Sequence, residues 1–321
     1  MGGNSMQLSF SVFQEPWWLS AVTGDRYNEV TVKQGDKLVG RLPFVTARRG
    51  VFRISLMPAF THLLGPAVDV GVGKPQTQLT RRLSITRELI DRLPPFAYFK
   101  QVFDPTAAGG LAIADGLAFQ DRGFRLSAQY TFQIDARHDP GSIWDGMNFK
   151  VRQHIRRADE KYSIDSLDDP ERFINFYLSN LRKINEVNRV NFQQFPLLFS
   201  ECQTRASGKI LCAWKPNGEP AAMIYLVWGH GVMYYLLSTR APDISDNGAV
   251  SLLLWSAIKL AHKLGLRFDF DGVYNSGSAR FLSGFGGQIG VRFIGMRINS
   301  TYRSLQFIKR KFVSNSSESF V

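Results

Sequence analysis

The stretch PAAMIYLVWGHGVMYYLLST, residues 220–239, decides the fold class. Two runs rich in apolar and aromatic residues are separated at Gly229–Gly231, and this arrangement predicts a β-hairpin. The mostly apolar run 249–264 predicts a helix buried against a sheet, with Gly265 as its C-cap. The stretch RFDFDGV, residues 267–273, predicts the next strand. A hairpin, a buried helix and a strand in this order indicate an α/β unit.

The first half of the chain has the same order of elements. NEVTVKQ from Asn28 and KLVGRLPFVTARR from Lys37 predict another hairpin, in which Pro43 indicates an edge or bulged position. A helical pattern at 76–93 and a strand pattern at 96–103 follow.

This repeat predicts an α/β (α+β) fold made of two similar units in tandem. The chain has 321 residues, which is long enough for two domains of average size. We expect an N-terminal domain over 6–140 and a C-terminal domain over 141–310.

One helix in the second domain stands out because it is basic. An apolar stripe predicts a continuous helix over 142–162, with Ser142 and Asp145 as a capping box. The helix also carries His154 and five cationic residues: Lys150, Arg152, Arg156, Arg157 and Lys161. At helical spacing Lys150, Arg157 and Lys161 share one side, and Arg152 and Arg156 share another.

Two interpretations of this basic helix stay open. A run of charges is usually a solvated helix face. However, no acid occurs between Lys150 and Arg157, and uncompensated like charges cost helix stability, which favours binding of an anion. The net charge of +12 fits either a diffuse excess of Lys and Arg or a focused site for an anionic partner.

Acidic residues at strand ends are the candidates for acid–base chemistry. On one strand Asp269 and Asp271 point to the same side, which suits either proton transfer or bonding to a nearby turn. Asp69 follows the turn at Gly65–Pro66, where a lone Asp is more often structural. No His or third acid lies near the pair, so we expect no metal site.

Several common sites are not indicated. The chain has no P-loop, dinucleotide fingerprint, zinc signature or G-x-S-x-G elbow, and the stretch GFGG at 284–287 fits a plain turn better than a phosphate loop. Two cysteines, the absence of an apolar run of about 18 residues and the lack of a signal-peptide pattern lead us to expect a cytoplasmic protein. A peripheral contact with the inner membrane face stays open.

Five segments together resemble the Fem-type peptidoglycan-bridge aminoacyltransferases and their relatives in the GNAT superfamily. They are FQEPWWLSAV (13–22), GRLPF with RRG (40–50), LMPAFTHLLGP (56–66), NFKVRQHIRRADEK (148–161) and FDFDGV with ARFLSGFGG (268–287). The resemblance implies two tandem GNAT-like domains. It also matches the family's K-x-R-x-x-I-R-x-A element to Lys150, Arg152, Ile155, Arg156 and Ala158, which supports an anionic-ligand role for the basic helix.

The resemblance also bears on the donor. Fem-type members transfer an amino acid from aminoacyl-tRNA to an amine on a cell-wall precursor, and relatives use acyl-CoA or carrier-bound acyl groups. Their closing F-K-x-x-F-G element has Lys after the Phe, whereas Leu282 stands there in this chain, with Arg280 nearby. This departure favours a thioester donor over aminoacyl-tRNA.

We therefore expect an N-acyltransferase that joins an acyl group to an amine by direct attack, without a covalent enzyme intermediate. Asp271, or less favourably Asp69 or Asp269, would accept the amine proton, and backbone amides would hold the oxyanion. The cleft would be lined by Tyr235, Tyr274, Arg280 and the basic helix. The acceptor would be an anionic small molecule or cell-wall precursor. A Fem-type aminoacyltransferase and a non-catalytic anion-binding module are the alternatives.

Overall fold

The computed structural model describes residues 8–244, 247–273 and 275–305. The strands are β1 Tyr27–Gln34, β2 Lys37–Val45, β3 Ala47–Arg49, β4 Phe52–Ser55, β5 Ala67–Val68, β6 Tyr98–Phe103, β7 Arg125–Ile134, β8 Ser163–Leu167, β9 Gly208–Trp214, β10 Pro220–Gly229, β11 Val232–Arg240, β12 Arg267–Asp269 and β13 Gln288–Ile298. The helices are α1 Pro16–Thr23, α2 Pro75–Asp91, α3 Ile113–Asp121, α4 Pro140–Asp145, α5 Phe149–Asp159, α6 Pro170–Lys183, α7 Phe195–Thr204, α8 Gly248–Lys263 and α9 Ser276–Ser283.

The chain forms two compact units that are not consecutive in sequence. Unit 1 contains the described residues up to Gln14, Asp25–Ala128 and those from Arg292 onward, and unit 2 contains Glu15–Gly24 and Gln129–Val291. The sequence predicts consecutive domains 6–140 and 141–310, whose outer limits lie outside the described residues. The units differ from that division because α1 belongs to unit 2 and the last residues of β13 belong to unit 1.

Unit 1 contains the predicted N-terminal hairpin. β1 and β2 pair antiparallel, and β5 pairs with β2 only at Gly40 and Arg41, so Pro43 has a strand partner on one side alone. α2 packs closely on this sheet because Gly40 has no side chain: a Cβ there would lie 2.5 Å from Cγ2 of Ile85. A second sheet has the order β3, β4, β6, β13, and β4 and β6 are parallel.

Unit 2 contains the stretch that decides the fold. β10 and β11 form the predicted hairpin, and the strand order is β13, β7, β12, β11, β10, β9, β8. α8 is buried over most of its length, and it ends with Gly265 at φ +67°. Backbone bonds from Gly265 N to His262 O and from Leu266 N to Ala261 O close a Schellman motif. The α/β class is confirmed, and each unit has a parallel strand pair connected through a helix.

The predicted continuous helix over 142–162 is wrong. Two helices, α4 and α5, occupy this stretch, because Asn148 adopts an extended conformation and caps α5 with its own side chain. The Ser142–Asp145 capping box is also wrong: Oδ2 of Asp139 accepts a hydrogen bond from Ser142 N (2.9 Å). An Asp followed by Pro140 at the first helical position is the stronger start signal.

In the part of the chain that the structure describes, no helix combines the length and the apolar character that a membrane span needs.

A buried ion pair holds two helices of unit 1 together. Asp115 on α3 accepts hydrogen bonds from Arg82 Nε (3.0 Å), Arg82 Nη2 (2.7 Å) and Thr86 Oγ1 (2.8 Å), all on α2. Arg82 and Asp115 are each 1% exposed. Such a pair is costly to break, because the remaining charge stays in a medium that solvates it poorly.

We expect Asp115→Ala to lower the free energy of unfolding by about 3–5 kcal/mol, because it leaves Arg82 buried without its carboxylate. Asp121→Ala is the matched control: it removes the partner of Arg87 between the same two helices, but both side chains are about 40% exposed. The control should cost about 1 kcal/mol or less. Urea unfolding of both variants measures the difference, and equal losses would contradict a structural role specific to the buried pair.

Candidate active site

The candidate site lies where two parallel strands of unit 2 part. β11 and β12 pair over three positions only, Val232 with Arg267, Met233 with Phe268 and Tyr234 with Asp269. β12 then ends, whereas β11 continues to Arg240 in its pairing with β10. α8 is the next helix after β11, and α9 is the next helix after β12. Ligands of α/β sheets commonly bind at the carboxyl edge of such a strand pair.

The strand predicted over 267–273 is therefore too long, and the reason is Asp271. Asp271 has φ +58° and Gly272 has φ +102°, which no strand residue adopts. Asp269 and Asp271 therefore do not lie on one strand, as the prediction that both point to the same side requires. Instead, Asp271 N donates a hydrogen bond to Oδ1 of Asp269 (2.7 Å).

The side chain of Asp269 stabilises this turn. Its carboxylate also accepts from Thr131 Oγ1 (2.6 Å) and from Gln133 Nε2 (2.7 Å), both on β7. It is 2% exposed. These three bonds connect the end of β12 to β7 and to the turn, so the geometry assigns Asp269 a positioning role.

One cavity of unit 2 has a volume of about 590 Å³ and three helical walls. The first turn of α5 supplies Lys150, α8 supplies Asn247 and Ser251, and α9 supplies Arg280 and Phe281. The other lining residues are Asn148, Val151, His154, Gly277, Ser283 and Gly284. The volume lies in the range of small-molecule sites, and the charged lining residues are basic.

A second, smaller cavity of about 140 Å³ adjoins the first through His154. Arg157, Lys161 and Tyr162 line it from α5 and the residues after it, and Gly248 lines it from the start of α8. The remaining lining residue is Ala158. Lys150, Arg157 and Lys161 thus share one side of the basic segment, as the helical spacing predicts.

The other side of α5 is not part of these cavities. Arg152 lies 3.5 Å from Asp145 Oδ1, and the guanidinium of Arg156 lies over the ring of Trp144 at 5.5 Å. Sequence reasoning found no acid within the run, but Asp145 precedes it and reaches Arg152. The structure therefore brings Lys150, Arg157 and Arg280 to the cavities and places Arg152 and Arg156 against protein partners.

Tyr235 is the first residue of β11 beyond the three parallel pairs, and burial raises its pKa to about 12. Its hydroxyl is therefore protonated at neutral pH, and Tyr235 lines neither of the two cavities. The register of β10 against β11 shifts next to it, with Leu226 opposite Tyr235 and Tyr225 opposite Leu237. Leu236 is the extra residue of this bulge. Tyr274, the other predicted tyrosine, lies outside the described residues.

The GFGG stretch has a packing role. A Cβ on Gly284 would lie 2.6 Å from Cγ2 of Val151, and one on Gly286 would lie 2.6 Å from the carbonyl oxygen of Gly146. Asn148 N donates to Gly284 O (2.8 Å). These glycines allow the end of α9 to touch the α4–α5 connection. Leu282, which the resemblance sets at a Lys position, is 4% exposed in the core and does not line the cavity.

Asp69 belongs to unit 1 and is engaged in an ion pair. Its Oδ2 lies 2.6 Å from Lys37 Nζ, and its Oδ1 accepts from Gly71 N (2.8 Å). The Lys37 hydrogen bond, together with that from Gly71, lowers the pKa of Asp69. A carboxylate with a lowered pKa is a weak base, although Asp69 also lines an 820 Å³ cavity of unit 1.

Sequence reasoning gave no role to three residues that line the larger cavity: His154, Asn247 and Ser251. The sequence did contain a signal for Asn247 and Ser251. They lie at the end of the polar loop that follows the predicted hairpin and in the first turn of the predicted buried helix, where helix starts commonly bind ligands. Within the described residues, no group of three or more His, Cys, Asp or Glu side chains is arranged to hold a metal ion.

Comparison with known proteins supports the fold. Residues 149–280 match the model of the acetyltransferase (GNAT) domain. The crystal structure of FemX matches with a TM-score of 0.64 and 10% identity, covering 88% of this chain and 91% of that one. The C-terminal domain assigned to a lysylphosphatidylglycerol synthetase of Agrobacterium fabrum matches with a TM-score of 0.57 and 13% identity, covering 93% and 92%.

The structure of L-PGS from Bacillus licheniformis has a TM-score of 0.52 and 12% identity, covering 85% of each chain. A search of curated protein sequences gives no match. At these identities the similarity concerns the fold, while the domain model covers most of the residues that line both cavities.

We expect Asp269→Asn to lower the free energy of unfolding by about 2 kcal/mol, because an amide offers one acceptor atom to donors that now bond both carboxylate oxygens. Asp145→Asn, in the same unit but with a 79% exposed side chain, is the control and should change it little. Thermal melts of both variants test this. An unchanged melting temperature for Asp269→Asn would mean that the turn does not depend on its carboxylate.

Proposed function

We propose that this GNAT-superfamily chain, whose fold is similar to that of FemX, is an N-acyltransferase that uses a thioester donor. The observation that carries the proposal is the basic cavity of about 590 Å³ between α5, α8 and α9, most of whose lining residues lie within the matched acetyltransferase domain. Tyr235 and Asp271 do not line this cavity. The domain match favours an acyl group on coenzyme A or a carrier protein as the donor.

The cavity suits the anionic part of such a donor. Lys150 and Arg280 approach it from α5 and α9, and the first turn of the 16-residue helix α8 faces it with Asn247 and Ser251. The Asn247 side chain does not cap α8 but accepts a hydrogen bond from Arg240 (2.6 Å). A helix start favours negative charge, so two cations and the α8 dipole act together.

The acyl group would react beside the point where β11 and β12 part. The amine nitrogen attacks the carbonyl carbon, a C–N bond forms, and the C–S bond breaks to release a thiolate. The bulge at Leu236 takes its backbone out of the strand ladder, and such an amide, with the protonated Tyr235 hydroxyl, is suited to hold the oxyanion.

Asp271 is the proposed base. Its carboxylate accepts the proton that the attacking amine loses, and the departing thiolate is protonated from solvent. Asp271 is 3% exposed and has a left-handed backbone conformation, whereas Asp269 is held in the turn by three hydrogen bonds to its carboxylate. Asp69 is the weaker candidate because its ion pair with Lys37 lowers its pKa.

An aminoacyl-tRNA donor is the second candidate, and the row of cations on α5 favours it. Lys150 and Arg157 lie on α5, seven residue steps or about 10 Å apart along its axis, and Lys161 follows just after its end, which suits a chain of phosphates. The absence of a Lys at position 282 is not evidence against this donor, because the Leu282 side chain is buried in the core. The acceptor amine would belong to a cell-wall precursor or a small molecule, and a peripheral membrane contact would bring the enzyme to the former.

Asp271→Asn should reduce kcat by roughly 10²–10⁴-fold without a matching loss of stability, because Asn tolerates φ > 0 but cannot accept the proton. The assay measures acyl transfer from acetyl-CoA, longer acyl-CoA or aminoacyl-tRNA to a panel of amines. Asp269→Asn is the control, and its main effect should be on the melting temperature. Wild-type turnover in folded Asp271→Asn would exclude it as the base.

Lys150→Gln and Arg280→Gln should each raise KM for the donor about tenfold with a small change in kcat, because they remove contacts made equally in the ground and transition states. Arg156→Gln is the control, since it lies on the same helix but stacks on Trp144. Donor binding without transfer to any amine would favour the non-catalytic anion-binding module instead.

A further inference from the structure

Eight consecutive exposed residues run from the last turn of α6 into the connection to α7. They have the sequence RKINEVNR and are called the 182–189 segment below. Ile184 is 53% exposed and Val187 is 76% exposed, although both side chains are large and aliphatic. The segment also carries three basic residues and one acidic residue, so its net charge is positive.

The backbone of this segment is ordered by its own hydrogen bonds. Asn185 has φ +54°, and its N–H donates to Arg182 O (3.2 Å). Glu186 N donates to Leu181 O (3.0 Å). The two bonds form a Schellman motif that ends α6. The aliphatic side chains are therefore carried on a defined turn.

The connection between α6 and α7 buries its aromatic residues. The ring of Phe192 packs on Tyr177 with centroids 5.0 Å apart, and the ring of Phe195 packs on Tyr225 with centroids 5.1 Å apart. Phe195 is fully buried. The same connection thus supplies side chains to the core and still leaves two aliphatic side chains in water, three residues apart and among cations. Such an exposed apolar patch is typical of an interaction surface.

The chemistry of the segment distinguishes between three kinds of partner. A nucleic acid would use the cations, but its bases stack on aromatic rings and gain little from aliphatic side chains. A second copy of the chain, docked through the same segment, would bring two positively charged surfaces together. An anionic bilayer uses both features, because lipid phosphates attract the cations and the headgroup region takes up aliphatic side chains.

We propose that the 182–189 segment docks on a bilayer that contains anionic lipids. Ile184 and Val187 enter the headgroup region, and Arg182, Lys183 and Arg189 contact lipid phosphates. The net charge of +12 of the whole chain adds a long-range attraction to the same surface. The inference goes beyond the proposed function, because docking on a membrane does not require acyl transfer.

The test is co-sedimentation of the full chain with vesicles. One set contains phosphatidylcholine alone, and the other contains phosphatidylcholine with phosphatidylglycerol. Wild-type protein should bind the anionic vesicles at least about tenfold more tightly than the neutral ones, and added salt should weaken this binding because it screens the cations.

Two double variants separate the contributions of charge and of apolar contact. Lys183→Gln/Arg189→Gln should weaken binding to anionic vesicles by about 25-fold, since each cation near an anionic membrane contributes about fivefold. Ile184→Ser/Val187→Ser should weaken it at least about fivefold, and this loss should persist in salt because apolar contact is not screened.

The end of α8 offers a matched control. Lys263 in its last turn and the C-cap Leu264, which is 45% exposed, correspond to Lys183 and the C-cap Ile184 at the end of α6. Lys183→Gln/Ile184→Ser and Lys263→Gln/Leu264→Ser therefore make the same change of charge and of apolar area at equivalent helix positions. Thermal melts establish that both are folded, and only the first should weaken vesicle binding.

Three results would overturn the inference. The first is that wild-type protein does not bind anionic vesicles, or that the variants of the 182–189 segment bind them as tightly as wild type. The second is an equal loss in Lys263→Gln/Leu264→Ser, since any exposed cation would then suffice. The third is a wild-type dimer that Ile184→Ser/Val187→Ser converts to a monomer in sedimentation velocity, since the segment would then join two copies.

The outcome is separable from that of the proposed function. Turnover of a water-soluble amine should be the same in wild type and in every variant of the segment. Wild-type protein that binds anionic vesicles but transfers no acyl group would reject the enzyme assignment alone. Acyl transfer without vesicle binding would reject the docking surface alone.

Discussion

The carboxylate of Asp269 determines where β11 and β12 part. Three donors converge on it, from the side chains of Thr131 and Gln133 on β7 and from the backbone of Asp271. Because Asp271 is then left-handed, the chain cannot continue as a strand beside β11. The two parallel strands therefore stop pairing after three positions.

Close packing at two glycines helps to set the walls of the larger cavity, which Gly284 lines. Gly284 and Gly286 bring the end of α9 against the α4–α5 connection, at distances that a Cβ would prevent. The hydrogen bond from Asn148 N to Gly284 O connects the cap of α5 to the same point. The basic helix, the buried helix α8 and α9 therefore share one junction, and a cavity with three helical walls results.

Much of this architecture could be predicted from the sequence, because apolar periodicity and turn residues act locally. The hairpins, α8 with its Gly265 end and the clustering of Lys150, Arg157 and Lys161 on one helix side all follow from spacing. Four features could not be predicted from spacing, because each depends on contacts between residues distant in sequence or on competition between alternative helix caps. They are the break at Asn148, the end of β12, the interleaved units and the core position of Leu282.

The two sides of α5 show why composition alone was ambiguous. A segment with five cations within twelve residues, four of them on α5, can be a solvated face, and on one side the protein provides Asp145 and Trp144 to offset the charge. On the other side the same helix presents its cations to concave surface where the described residues supply no carboxylate. A solvated face requires no cavity, whereas a phosphate site requires both the charge and the concavity. In the part of the chain that the structure describes, the two coincide on one side of the α5 segment, and this coincidence is the reason to propose a binding role for it.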